Sequence, residues 1–272
     1  MTRRPFISSV SNPRLKSLRR LRRSRGATFI VEGYREVAAA LEAGVAVPEL
    51  YVSPELYLGN SDGPLVSRAE RRGTVVTELS GAAFESIARE ARPDGIVAVV
   101  EGWSTVLDGL ALEPTPLILV AEAIERPGNL GTIIRTACAA GADALLVCDG
   151  VTDAFHPETV RGSAGALFRV RIAESRTVDA IAWLRAHRVR IIVATPSGQR
   201  THREADFRGG AAVVVGSERH GVSQAWLGAA DETVRIPMPG PADSLNVAVA
   251  AGVVMCEAAY QRLGCGYARS LP

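Results

Sequence analysis

Apolar residues in the second half of the chain recur in short runs separated by stretches of helical spacing. From Leu117 onward we predict six strands, in the runs LILVAEA, ALLVCDG, RVRI, RIIVAT, AAVVVG and ETVRIPM. The spacing around them predicts helices at about 129–140, 157–162, 177–187, 223–228 and 244–263. This alternation is typical of an α/β fold with a mostly parallel six-stranded sheet covered on both faces. Since ligands of such sheets bind beyond the carboxyl ends of the strands, functional residues should directly follow strands.

The first hundred residues show the same alternation on a smaller scale. We predict helices in SNPRLKSLRRLRR, YREVAAALEAG, PLVSRAERRG and GAAFESIARE, and strands in ATFIVEG, PELYVS, TVVTEL and GIVAVVEG. These elements predict a small α/β/α unit. The proline-containing stretch WSTVLDGLALEPTP has the composition of a linker. The chain is therefore predicted to hold a first domain at 1–105, a linker at 106–116 and a second domain at 117–272.

Charge is distributed unevenly, although the formal net charge is only +2. Residues 1–25 hold nine basic residues and no acid, so this segment is basic while the remainder is acidic. A solvated helix face or a disordered arm would explain the cluster. Binding to a nucleic-acid backbone explains it better, because clustered cations displace condensed counterions. The residues predicted to contact RNA are Arg14, Lys16, Arg19, Arg20, Arg22 and Arg23.

Composition excludes several classes of protein. Lys16 is the only lysine, which argues against P-loop NTPases, Schiff-base enzymes and kinases with a catalytic lysine. No apolar run approaches the roughly 18 residues of a membrane span, and no secretory signal is visible. The four cysteines lack metal-ligand spacing and are predicted to be buried free thiols. We therefore expect a cytoplasmic protein with neither a metal site nor a membrane partner.

The stretch PGNLGTIIRTA follows the first strand of the second domain. Its apolar residues recur on one side of a helix, which is predicted to be buried, and Arg135 lies off that side. Asn129 follows a proline and a glycine, where an N-cap belongs. A capped helix with a surface arginine would explain the stretch as well as a functional site does.

Two further stretches follow later strands. VGSERHG carries Glu218 between glycines, which allow close approach of a ligand to the backbone, but it is not a dinucleotide-binding fingerprint. IPMPGPADSLNVAVA combines a rigid loop with Ser244, a predicted N-cap, and an apolar helix. Asn246 interrupts that helix and requires a partner or a ligand in a dry environment. A helix apolar on nearly all sides must be covered by its own domain and by a second subunit.

Taken together, these three stretches closely resemble the signature motifs of the SpoU (TrmH-like) family of RNA 2′-O-ribose methyltransferases, within the SPOUT superfamily. The resemblance covers about residues 117–264. The first hundred residues resemble the L30e-like RNA-binding domain that often precedes this family's catalytic domain. RGSAGALF fits a further family pattern, R-x-S-x-G-x-x-F. Ala164 stands in it where the thiopeptide-resistance branch has an arginine, which argues against a thiostrepton-type target.

The resemblance implies S-adenosylmethionine as cofactor, a C-terminal deep trefoil knot and a homodimer. The residues it matches to cofactor binding are Thr195, Pro196, Gly216, Ser217, Ile236, Met238, Ser244 and Leu245. Those it matches to catalysis are Arg135, Asn129, Glu218, Ser244 and Asn246. The arginine has been proposed in the family as general base, commonly acting across the dimer interface. Because a guanidinium is effectively always protonated, orienting a phosphate and stabilising an alkoxide suit it better.

Several alternatives stay open at this point. A SPOUT-type enzyme that methylates the N1 position of guanine, or a noncatalytic RNA-binding or ribosome-assembly protein, would share much of the sequence pattern. The large-subunit 23S rRNA is the preferred substrate over tRNA, because an L30e-like domain suits structured RNA. The sequence does not identify the target nucleotide. It also leaves open whether the modification is a housekeeping one or confers antibiotic resistance.

Overall fold

The structure is a computed structural model that describes residues 4–22, 26–241 and 243–263. The chain groups into two compact units. The first unit comprises Met1–Trp103 with Phe155–Arg169, and the second comprises Ser104–Ala154 with Val170–Pro272. The backbone therefore passes between the units three times. The sequence pattern predicts one passage, at the linker 106–116.

Strands and helices alternate along the chain. In order they are β1 (Phe6–Ile7), α1 (Pro13–Leu21), β2 (Thr28–Glu32), α2 (Tyr34–Glu42), β3 (Glu49–Val52), α3 (Asp62–Arg71), β4 (Val75–Leu79), α4 (Gly81–Glu85), β5 (Ile96–Glu101), β6 (Leu117–Glu122), α5 (Pro127–Ala139), β7 (Ala144–Cys148), α6 (Pro157–Gly162), β8 (Arg171–Ser175), α7 (Thr177–Ala186), β9 (Arg190–Ala194), β10 (Arg200–Thr201), β11 (Ala211–Val215), α8 (Gln224–Ala229), β12 (Glu232–Arg235) and α9 (Val247–Leu263). Within the described ranges, no helix is both long and apolar enough to cross a membrane.

The first unit is built on a five-stranded mixed sheet with the order β1-β4-β3-β5-β2. The strand pairs β1–β4 and β3–β4 are parallel, whereas β3–β5 and β2–β5 are antiparallel. Helix α1 begins after Asn12, whose side chain accepts the N–H of Arg14. Its leucines Leu15 and Leu18 are buried against the sheet, as their helical spacing predicts. Helix α1 thus contributes apolar side chains to this unit's core, although it lies in the basic segment.

Helix α4 ends at Glu85, although its sequence pattern continues to about residue 90. The carboxylate of Glu32 accepts the main-chain N–H groups of Arg89 at 2.9 Å and Glu90 at 3.3 Å. These bonds give the two amides acceptors outside a helix. The predicted helix is therefore too long.

The segment 155–169 completes the first unit. Phe155 and Phe168 stack on Phe29 of β2, with ring centroids 4.7 and 6.4 Å away. Gly165 has φ +84, and a Cβ there would lie 2.9 Å from the Cβ of Ala39. This explains why the sequence RGSAGALF carries glycine and phenylalanine at these positions. Ion pairs also hold the segment, joining Arg89 to Glu158, Arg161 to Glu90 and Arg169 to Glu42.

The second unit contains a parallel sheet with the order β10-β12-β9-β11-β6-β7-β8. The predicted α/β class and parallel sheet are confirmed. The sheet has seven strands rather than six, because the two-residue strand β10 adds an edge. That strand is too short for an alternating pattern to reveal it.

Helices cover both faces of this sheet. On one face, Ile118 and Val120 of β6 share a core with α7 and α8, which contribute Trp183 and Trp226. On the other, α5 packs against β6 and α9 against β11, and the two helices pack together. The segment 106–116, predicted as a linker, belongs to the second unit. Leu107 is buried in the core beneath α7, and Val106 forms a β-bridge with Glu174. The knot that the family resemblance implies stays a prediction.

Candidate active site

A cavity of about 480 Å³ opens beyond the carboxyl ends of β9, β11 and β12. This is the sheet edge at which the sequence predicts a ligand, and the volume suits a small molecule. The loops after these three strands line it together with the start of α9. All eight residues predicted to hold the cofactor lie around it: Thr195, Pro196, Gly216, Ser217, Ile236, Met238, Ser244 and Leu245.

Two of these loops require glycine because backbone passes too close for a side chain. A Cβ on Gly216 would lie 2.2 Å from the carbonyl carbon of Gly221, and one on Gly198 would lie 2.2 Å from that of Val234. Ser217 and Gly221 exchange two main-chain hydrogen bonds of 3.0 Å. The spacing G-x-x-x-x-G in VGSERHG therefore encodes a closed turn beside the cavity.

Asn129, Glu218 and Asn246 form one chain of hydrogen bonds. The Asn129 amide donates to a carboxylate oxygen of Glu218. The Asn246 amide donates to Asn129 Oδ1 over 3.1 Å. The other Glu218 oxygen accepts the main-chain N–H of Glu125 at 3.5 Å. Side chains from three separate sequence motifs thus meet, and each orients the next.

The predicted N-cap at Asn129 is wrong. Helix α5 already begins at Pro127, with Arg126 as its extended N-cap. Proline is favoured at the first helical position because its fixed φ suits the helix and its missing N–H costs nothing there. Asn129 consequently lies in the first turn, where its side chain reaches Glu218 instead of capping.

The predicted N-cap at Ser244 is also wrong. Helix α9 begins at Val247, and Asn246 Oδ1 accepts the N–H of Ala248 at 2.9 Å. Asn246 is the cap, and in the single chain it is exposed rather than in a dry environment. Ser244 remains in the loop, where it lines the cavity. Asparagine satisfies an N-cap as well as serine does, so composition alone did not separate the two.

Arg135 stands apart from this chain of hydrogen bonds. It is exposed on α5, away from the buried Leu130, Ile133 and Ile134. Within the described residues its guanidinium has no hydrogen bond or ion pair, and it does not line the cavity. A single copy of the chain therefore brings together the other four predicted catalytic residues but leaves this arginine facing solvent.

Sequence reasoning missed three residues near the cavity. Arg219 and His220 line it, and Arg219 Nε lies 3.5 Å from Glu125 Oε2. Their position inside VGSERHG was the available signal. Glu122 was also missed, because it reads as the last residue of a strand. It is buried and accepts two hydrogen bonds from other elements.

The basic residues predicted to contact RNA differ in their availability within the first unit. Arg14, Lys16 and Arg20 are exposed. Arg19 donates to the carbonyl of Val10 at 2.9 Å, and Arg22 pairs with Glu32 at 2.7 Å. Arg23 lies outside the described residues. The first three can therefore meet a phosphate without giving up an internal partner.

The cysteines differ in burial within the described part of the chain. Burial raises the pKa of the Cys148 thiol well above its usual range, so it stays protonated and inert. The prediction of buried thiols is wrong for Cys256, which is exposed on α9, and Cys265 lies outside the described residues. Among residues 4–22, 26–241 and 243–263, no three His, Cys, Asp or Glu side chains cluster as a metal site requires.

Two relatives of known name match most of the chain. A 23S rRNA (guanosine(2553)-2′-O)-methyltransferase, RlmP, from Bacillus subtilis (strain 168) is 30% identical over 92% of this chain and 97% of its own. A 23S rRNA (uridine(2479)-2′-O)-methyltransferase from Streptomyces viridochromogenes is 34% identical over 90% of this chain and 86% of its own.

Solved structures agree. The AdoMet-bound rRNA methyltransferase from Sinorhizobium meliloti superposes with a TM-score of 0.84 at 31% identity, covering 93% of this chain and 96% of that one. Two family models match the sequence itself. The MRM3-like substrate binding domain matches residues 12–98, and the SpoU rRNA Methylase family matches residues 116–256. With more than half of its length matched, the chain belongs to the SpoU rRNA methylase family.

Proposed function

We propose that this protein transfers a methyl group from S-adenosylmethionine to the 2′-hydroxyl of a ribose in 23S rRNA. The convergence of three strand-end loops on one cavity, beside the Asn129–Glu218–Asn246 chain, carries the proposal. The relatives from Bacillus and Streptomyces are named as 2′-O-methyltransferases of this RNA. An rRNA substrate would place the protein in the cytoplasm.

The cavity suits the cofactor. Its volume of about 480 Å³ is ample for a nucleoside with an amino-acid tail. Ile236, Met238 and Leu245 supply apolar contacts for a ring system, and the closed turn at Gly216 brings main-chain groups close. When bound, S-adenosylmethionine supplies an activated methyl group on a sulfonium. Thr195, Pro196, Gly216, Ser217, Ile236, Met238, Ser244 and Leu245 would hold it.

The chain's own residues would position the ribose and stabilise its oxygen. Methyl transfer requires the oxygen in line with the breaking bond, and such positioning can supply about 7–11 kcal/mol. Asn129, held by Glu218 and Asn246, is oriented before substrate arrives. Arg135 stays protonated, so it would orient a phosphate and stabilise the developing alkoxide rather than remove the proton. Ser244 would order the loop beside the hydroxyl.

A homodimer would complete this site. Helix α9 leaves apolar side chains exposed in the single chain, with Val249 52%, Leu263 65% and Tyr260 76% exposed. A second copy covering this face would satisfy the sequence argument for an apolar helix. The partner subunit's Arg135 would then bring its guanidinium to this cavity, which it does not reach within one chain.

Mixed dimers test the composite site. Subunits carrying Arg135→Ala are mixed with subunits carrying Leu245→Trp, which fills the cavity. If the arginine acts across the interface, each mixed dimer regains one intact site, and therefore up to half of the activity of a wild-type dimer. Recovery of no activity, in dimers verified by mass, would assign both functions to one chain.

Product analysis tests the reaction. Purified protein is incubated with tritiated S-adenosylmethionine and ribosomal RNA, and the product is digested and examined by mass spectrometry. A methyl on ribose makes the adjacent phosphodiester resistant to alkali, which also maps the nucleotide. A methyl on guanine N1 would overturn the proposal in favour of a base methyltransferase. Cofactor binding without transfer to any RNA would favour a noncatalytic factor. Comparing antibiotic susceptibility of strains with and without the gene decides between housekeeping and resistance.

A further inference from the structure

Glu122 is a buried carboxyl that the proposed reaction does not use. It ends β6, is 4% exposed, and continues the row of Ile118 and Val120 that faces α7 and α8. A carboxyl among apolar side chains is costly unless its oxygens are hydrogen-bonded. Its partners therefore indicate why an acid stands at this position.

The two oxygens of Glu122 bind different elements. One accepts the main-chain N–H of Ser223 over 2.7 Å. The other accepts the hydroxyl of Thr177, the first residue of α7, over 3.2 Å. Ser223 directly follows Val222, the last residue of the loop that lines the cavity after β11. The bond to Ser223 is thus the one that concerns the site.

The loop 216–222 is held near both of its ends to β6 and to the residues that follow it. Near its beginning, Glu218 binds the Asn129 side chain and the Glu125 main chain. At its end, Ser223 is held by Glu122. Between these anchors the turn from Ser217 to Gly221 is closed by its own hydrogen bonds. Releasing the second anchor would leave the loop held only near its beginning, through Glu218 and the exposed Arg219–Glu125 ion pair.

We propose that Glu122 is a positioning residue for the cofactor cavity, acting through the main chain of Ser223 on the loop that carries Glu218. The inference rests on the proposed function, since it assumes that S-adenosylmethionine occupies this cavity. It predicts an effect on cofactor affinity rather than on the transfer step, because Glu122 touches neither the cavity nor the reacting groups.

The test compares five variants by calorimetric titration with S-adenosylmethionine and by tritium transfer. Glu122→Leu removes both hydrogen bonds, and its Kd and KM for the cofactor should rise at least tenfold, with kcat at saturating cofactor within about threefold. Glu122→Gln keeps an acceptor for Ser223 and should recover affinity to within about threefold of wild type. Glu122→Asp keeps the charge, but its shorter side chain does not reach Ser223. If the leucine variant does not fold, the aspartate variant replaces it, and its Kd for the cofactor should also rise at least tenfold.

Thr177→Val is the matched control. It removes the other hydrogen bond to the same carboxylate, so it shares the structural cost without freeing Ser223. Its Kd should stay within about twofold of wild type even if its unfolding midpoint falls. Equal losses of affinity in Thr177→Val and Glu122→Leu, or a folded Glu122→Asp with wild-type affinity, would overturn the inference. Leu245→Trp fills the cavity, so its Kd for S-adenosylmethionine should rise sharply. Wild-type affinity in this variant would show that the cofactor does not bind in this cavity, which refutes the proposed function and not only the role of Glu122.

Discussion

Gly216→Ala is the sharpest test of the cavity geometry. The added methyl would lie 2.2 Å from both the carbonyl carbon and oxygen of Gly221 and 2.3 Å from the nitrogen of Val222. All three are backbone atoms, which have no rotamer by which to escape. The two sides of the turn must therefore separate by close to an ångström.

The expected magnitude follows from what that separation breaks. Overpacking of this kind costs about 1–3 kcal/mol, and each main-chain hydrogen bond lost between Ser217 and Gly221 adds about 1 kcal/mol. If roughly 1.4–2.8 kcal/mol of this appears in cofactor binding, Kd rises about 10- to 100-fold. We expect a folded protein whose affinity for S-adenosylmethionine falls by that factor.

The assay is calorimetric titration, with chemical denaturation measured in parallel. Gly128→Ala is the control, because it makes the same substitution in the same unit at a position where a Cβ meets nothing within 4 Å. Lying in α5, it should if anything gain stability, by up to about 1 kcal/mol. A folded Gly216→Ala variant with wild-type affinity would show that this turn does not shape the binding site.

Three other predictions follow from the same structure. Arg135→Ala should abolish tritium transfer while cofactor affinity stays within a few-fold, and an active variant would remove the arginine from the mechanism. Substituting Arg14, Lys16 and Arg20 by glutamate should weaken RNA binding and flatten its dependence on salt. An unchanged slope of log K against log salt would show that these three residues do not contact the RNA backbone. Burial raises the pKa of the Glu36 carboxyl, so its ionised form is disfavoured in the folded state. That cost is absent below the unfolded pKa of about 4.3 and grows as pH rises past it. Glu36→Gln should therefore raise Tm at pH 7 and leave it unchanged at about pH 3.5, and equal shifts at both pH values would contradict this.

Periodicity predicted the fold class because the strands of the second unit are buried and long enough to show it. Val213 and its neighbours in β11 could be placed by composition alone. The two-residue strand β10 and the early end of α4 could not, since hydrogen bonds from distant residues decide them. A pattern confined to a short window does not contain those partners.

The candidate site was predictable where a loop directly follows a strand. The residues predicted to hold the cofactor line the cavity. Asn129, however, was predicted to cap its helix and instead binds Glu218, whereas Asn246 was not predicted as a cap and caps α9. Capping by Asn246 and bonding by Asn129 depend on which helix end reaches which loop, and this is a property of the assembled sheet. Glu122 could not be predicted for the same reason. Its hydrogen-bond partner, the main-chain N–H of Ser223, is about a hundred positions away in the sequence.

The return of residues 155–169 to the first unit limits how this protein can be divided. A fragment ending at residue 105 would lack Phe155 and Phe168, uncovering Phe29, and would lack Gly165 beside Ala39. Expressed alone, it would present that bared apolar surface to other molecules and aggregate. A soluble fragment would have to be spliced from two stretches of the gene, and any recombination event that transplants the first unit must carry both stretches.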